Sequence, residues 1–175
     1  MKIRKSSEGP ADVGHLFFDF RPSKHIFAGL GENFPNVVFL YIIDQGIKFV
    51  ERNNFIGLQK LENLFMRDNQ IEFLPEDVFN DLSSLKRLYL TNNFIMELPE
   101  KLFMNLINIE EIGFDGNHIK SLPTNLFLNN LNLKMLTLYC DELKLNDFDL
   151  SAMPNVKLFN ITHCVYYFEG KLGTE

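Results

Sequence analysis

The apolar residues of this chain recur on a step of 24, and neither a helical period nor strict alternation accounts for them. The stretch Leu85–Leu106 shows the unit. Leu85, Leu88, Leu90, Asn93, Ile95, Leu98, Phe103 and Leu106 fall at offsets that read L-x-x-L-x-L-x-x-N-x-I-x-x-L-P-x-x-x-F-x-x-L. Leu88 and Leu90 have the two-residue step of a strand with one buried face. Beyond Asn93 the spacing widens, as in a chain that turns and runs back along a second edge. Such a unit cannot bury its apolar face alone and predicts copies on both sides.

The copies start at Val37, Leu61, Leu85, Ile109 and Leu133, with a further one at Val156 after a step shortened to 23. Counting each start as position 1, position 4 reads Leu40, Leu64, Leu88, Ile112, Leu136, Phe159, and position 6 reads Ile42, Met66, Leu90, Phe114, Leu138, Ile161. Position 11 is Ile47, Ile71, Ile95, Ile119, Leu143, and position 19 is phenylalanine in four units, Phe55, Phe79, Phe103 and Phe127. Each unit should give a short parallel strand near positions 3–7. Stacked at about 4.8 Å, these strands predict an α/β horseshoe solenoid with its sheet on the concave face and loops or short helical turns on the convex face. Residues 37–168 form the array. Residues 1–12 are polar and read as a disordered end. Residues 13–36 read as a degenerate first repeat that caps the core, with Leu16 and Phe18 as inward strand residues, and 169–175 are a tail.

The pattern L-x-x-L-x-L-x-x-N-x-L resembles that of the leucine-rich repeat family. The 24-residue length with LPEDVF, LPEKLF and LPTNLF is similar to its extracellular "typical" class, and ENFPNV and FIGLQKLENL are similar to secreted or cell-surface repeat proteins of insects. The resemblance implies a binding scaffold, extracellular or at the cell surface. Met1–Ala11 lacks the apolar stretch of a secretory signal, so the alternative is a cytoplasmic scaffold or regulatory subunit; the preferred reading is a fragment of a longer chain.

Composition sharpens this only in places. Eighteen phenylalanines without a tryptophan are mostly absorbed by repeat positions. A net charge of −6 speaks against a general nucleic-acid surface, and no run reaches the roughly 18–20 apolar residues of a membrane span. No Ser-His-Asp set or Gly-rich phosphate loop is present, so neither catalysis nor a cofactor is expected.

Position 9 holds Gln45, Asn69, Asn93, Asn117 and Asp141. Inward amides there predict a structural ladder that satisfies backbone groups of the turns. Cys140 and Cys164 lie one repeat apart; they read first as buried free thiols, second as a disulfide, and third as zinc ligands with His163 and His118, though without a recognised spacing. Asn160-Ile161-Thr162 is a glycosylation sequon.

Function on such a scaffold must rest on side chains the fold does not require. Positions 3, 5 and 7 project from the sheet, and in the N-terminal half they hold Phe39, Tyr41, Ile43, Phe65 and Tyr89, with Arg67 and Arg87 beside them. Aromatic and arginine side chains are enriched at binding hot spots. Later units place Gly113, Thr137 and Asn160 at position 5, which suggests that the aromatics are surplus to folding, while Glu110, Glu111 and Asp115 read as solvated carboxylates. The expected function is recognition of a protein partner on the concave face, in innate immunity, adhesion or matrix assembly.

Overall fold

The structure is a computed structural model and describes residues 2–5, 14–19, 24–139 and 158–162. Eight strands form one sheet in chain order: β1 (Lys2–Lys5), β2 (His15–Asp19), β3 (Phe39–Tyr41), β4 (Asn63–Phe65), β5 (Arg87–Tyr89), β6 (Glu111–Gly113), β7 (Met135–Tyr139) and β8 (Leu158–Thr162). From β2 to β8 all pairings are parallel. The register follows the repeat, with Leu40 beside Leu64, Leu64 beside Leu88, and Leu88 beside Ile112. The shortened step appears as Leu136 beside Phe159.

The fold is thus a parallel-sheet solenoid. The inward residues of each strand, Leu40, Leu64, Leu88, Ile112 and Leu136, are fully buried, as are Ile42, Met66, Leu90 and Phe114 behind them. On the return edge Phe55, Phe79, Phe103 and Phe127 form a buried column, with ring centroids 6.0 Å apart for the first pair and 5.5 Å for the last. Proline sets the convex turn in three units, where the carbonyls of Pro75, Pro99 and Pro123 accept from Val78, Leu102 and Leu126 at 3.1 Å. Proline's fixed φ suits that start. The first full unit has Glu51 instead, and there Glu51 and Asn54 cap each other across a short 3-10 turn, Arg52–Asn54.

After each of β3 to β6 the chain turns through a residue with positive φ: Asp44 (54°), Asp68 (60°), Asn92 (55°) and Gly116 (68°). Asp, Asn and Gly are the types that tolerate this region. The turn aims the next residue inward. Asn69, Asn93 and Asn117 are buried there. Asn93 donates to the carbonyls of Met66 at 3.0 Å and Leu90 at 2.8 Å, and accepts from the Ile71 amide at 3.1 Å. Asn69 and Asn117 make the corresponding bonds to Ile42 and Met66, and to Leu90 and Phe114. Gln45 departs from the expected ladder: its longer side chain folds back onto the carbonyls of Ile43 and Asp44, while its own amide is capped by Asn69. Asp141, Cys140, His163 and Cys164 lie outside the described residues. Asn160 lies in β8, whose backbone alone is described.

Two features concern the N-terminal end. The reading of residues 1–12 as a disordered end is corrected over Lys2–Lys5, which pair antiparallel with β2. Without β1, β2 would expose an unpaired row of backbone donors and acceptors to solvent. Behind β2, the short helix α1 (Leu30–Asn33) seals the core with Leu30, alongside Ile26 and Phe34. Its Gly31 meets the next unit so closely that a Cβ would sit 2.3 Å from the Ile56 carbonyl oxygen. Only glycine permits that approach.

Candidate functional site

The outward residues of β2 to β5 form a ladder of rings. Phe17, Tyr41, Phe65 and Tyr89 occupy one column, with centroids 4.4, 4.8 and 5.4 Å apart and planes within 3–4° of parallel. The cause is geometric: strands about 4.8 Å apart place same-position rings at stacking distance. Beside this column His15 stacks on Phe39 at 4.2 Å. The rings cover one another's faces, so the surface they offer is made of ring edges and the Tyr41 hydroxyl. His15 and Phe17 were absent from the expected set, although they stand one 24-residue step before Phe39 and Tyr41. That same step was the available signal.

The column ends at Tyr89. The next residue in line is Gly113, which is buried, and a Cβ there would lie 2.7 Å from Tyr89 Cδ1. Gly113 is therefore not a sign that this position is indifferent; it makes room for the ring. The Tyr89 hydroxyl donates to Glu111 Oε2. Burial first, and this hydrogen bond second, push the phenol up to about 12. Glu111 also accepts from Arg87 Nε at 3.0 Å, which is the main cause of a raised Arg87 pKa, and Arg87 Nη1 donates to Asn63 Oδ1 at 3.1 Å. Asn63 itself is only 1% exposed. Its Nδ2 has no hydrogen-bond partner among the described residues.

These contacts separate the two arginines. Arg87 is committed to the scaffold. Arg67 projects with 56% of its side chain exposed, and its recorded ion pair is a long one, to Asp68 at 3.9 Å. Together Tyr41, Ile43, Phe65, Arg67, Arg87 and Tyr89 line a hollow of about 470 Å³, closed by Thr91 and Glu111. Phe39 lies outside it, in the His15 column. The three carboxylates read as solvated all have partners: Glu111 as above, Asp115 the Thr137 hydroxyl, and Glu110 the Lys134 ammonium at 2.8 Å. That partner holds the Glu110 carboxyl below the usual range, chiefly through the hydrogen bond. His118, weighed as a zinc ligand, is exposed and stacks on Phe94 at 6.2 Å. No cluster of three or more metal-ligating side chains occurs among the described residues, and none of their helices is long and apolar enough to cross a membrane.

Comparison with known proteins places this architecture. The chain matches the Leucine rich repeat family over residues 35–95 and 64–119. None of the curated proteins matches its sequence. Among solved structures it is similar to Toll in the Toll–Spatzle complex of Drosophila, at a TM-score of 0.75 and 23% identity over 85% of this chain and 20% of that one. It is also similar to the APL1 leucine-rich repeat domain, at 0.72 and 24% over 80% and 36%. A third likeness is to the LRIM1/APL1C complex, at 0.68 and 22% over 79% and 26%. At such identities the likeness speaks for the fold, and the chain spans between 20% and 36% of the lengths of these insect proteins. Repeat spacing, sheet register and family match together make this chain a leucine-rich repeat protein resembling those of insects.

Proposed function

We propose that the chain is a non-catalytic protein-binding module whose partner sits on the N-terminal half of the concave sheet. The observation that carries this reading is the hollow over Tyr41, Phe65 and Tyr89 with Arg67 at its side. It offers an apolar, pre-stacked floor whose rings lose little freedom on binding, and one cation not held in a tight pair. A segment of partner protein with an apolar side chain on the Phe65 and Tyr89 edges and a carboxylate at Arg67 fits that chemistry. Farther along the face Glu110 is paired with Lys134 and Asp115 accepts from the Thr137 hydroxyl, so these carboxylates are already engaged within the chain.

The similar structures support an extracellular setting. One is a complex of LRIM1 with APL1C, and another is the Toll–Spatzle complex, a molecular hub in Drosophila development and innate immunity. By that analogy the chain works outside the cell or at its surface, as a recognition element of innate immunity, adhesion or matrix assembly. The test is an alanine scan against a partner captured with the purified chain and identified by cross-linking. Phe65→Ala and Arg67→Ala should each weaken binding by about 1–3 kcal/mol. Losses confined to convex residues such as Met104 and Leu128 would overturn the assignment.

A further inference from the structure

The strand face is not the only surface on which the repeats align side chains. Past the turns that follow β3 and β4 the chain has two successive outward positions, the twelfth and thirteenth of the unit, set between buried residues: Ile47 and Val50 in one unit, Ile71 and Leu74 in the next. The thirteenth column holds His25, Phe49, Phe73 and Glu97. His25 stacks on Phe49 at 4.9 Å. Phe49 is 52% exposed, and Phe73, at 66%, is the most exposed large apolar side chain among the described residues. In the twelfth column Lys48 and Glu72 stand beside these rings.

The charges there differ from those at the second position of the unit. At the second position, opposite charges one repeat apart close on each other, Lys86 with Glu62 at 3.0 Å and Lys134 with Glu110 at 2.8 Å. Lys48 and Glu72 are also one repeat apart, yet neither enters an ion pair among the described residues. This lateral face therefore presents uncovered phenyl rings flanked by a cation and an anion that the chain itself leaves unneutralised.

We infer that this face is the contact between two copies of the chain. The twofold axis lies in the contact plane and crosses the solenoid midway between the units starting at Val37 and Leu61. Such an axis reverses the order of units and keeps the order of positions within them, as a self-complementary patch requires. Phe49 then faces Phe73 of the second copy, Lys48 faces its Glu72, and one repeat farther out His25 faces its Glu97. Each opposition occurs twice. An axis along the twelfth column would instead set Lys48 against Lys48 and Glu72 against Glu72, and one between the two columns would set both charges against phenyl rings, so opposite charges meet only in the reversed arrangement. This self-complementarity is what favours a second copy over an unrelated protein.

Sedimentation equilibrium on the full chain tests it. The parent chain should show a reversible monomer–dimer equilibrium. Lys48→Glu alone and Glu72→Lys alone should each raise the dimer Kd roughly tenfold or more, since two attractions become two repulsions. An equimolar mixture of those two variants sets a carboxylate against an ammonium at both oppositions and should recover the parent's association. Phe73→Asp, at an exposed position that leaves the fold intact, should also weaken the dimer. The inference is overturned if the parent stays monomeric at all attainable concentrations, if both charge variants associate as tightly as the parent, or if the mixture fails to recover. Tyr41→Ala should leave the dimer unchanged, which separates failure here from failure of the concave-face reading.

Discussion

The ring of Tyr89 lies on Gly113, the residue one repeat later in the same outward column, with a hypothetical Cβ only 2.7 Å from Tyr89 Cδ1. The glycine ends the aromatic ladder and lets its last ring settle against the sheet while the hydroxyl reaches Glu111. Gly113→Ala should therefore displace the ring and cost about 1–3 kcal/mol, the range for overpacking a fitted site. In the Tyr89→Ala background the same substitution should cost much less. A thermal double-mutant cycle reads the difference, and additive effects would mean the two residues do not interact.

A second prediction concerns pH. The folded chain holds the Tyr89 proton more tightly than the unfolded chain does, because burial and the Glu111 contact raise this phenol from 10.0 to about 12. Its stabilisation is intact below pH 10 and is lost as the pH climbs through about 12. Tyr89→Phe should flatten the fall in denaturation midpoint across that window relative to the parent. An unchanged slope would place the tyrosine in ordinary solvent.

The asparagine turns should not be equivalent to the glutamine one. Asn93→Ala leaves the buried carbonyls of Met66 and Leu90 and the Ile71 amide without their partner, at about 1–3 kcal/mol. Gln45→Ala removes a partly exposed side chain that bonds the carbonyls of Ile43 and Asp44 and should stay within about 0.5 kcal/mol. Urea denaturation of the two variants checks the ranking. Leu88→Ala, at the fully buried centre of β5, should exceed both at roughly 2–5 kcal/mol.

Truncating the ring ladder should be felt in stability as well as in binding. Phe65 stacks on both Tyr41 and Tyr89, and aromatic pairs contribute about 0.5–1.5 kcal/mol each beyond buried area. Phe65→Ala should thus lower the melting temperature measurably, whereas Arg67→Ala should not. Arg87→Ala is expected to resemble Phe65→Ala, because Arg87 ties Asn63 to Glu111. If Arg67→Ala destabilised as much as Arg87→Ala, the distinction between a loosely paired and a committed cation would fail.

The 24-residue spacing alone was enough to place every inward residue of β3 to β7. Burial of an apolar face is a property of the repeat, and copies of one unit bury the same positions. It also located the inward asparagines, because an amide at a turn answers a backbone need present in each unit. The cap was only half legible: Leu16 and Phe18 were recognised as inward, while His15 and Phe17, alternating with them, were not carried into the outward columns. What a repeat pattern does not encode is which outward side chains take each other as partners. Arg67 and Arg87 look alike along the chain, and only the folded sheet brings Glu111, Asn63 and Tyr89 around one and leaves the other exposed. Gly113 reads as tolerance in a column of letters and as a fitted space beneath a ring in three dimensions. The pairing of Lys2–Lys5 with β2 likewise needed the sheet edge to exist first, since four polar-rich residues gain order there from the backbone groups they satisfy.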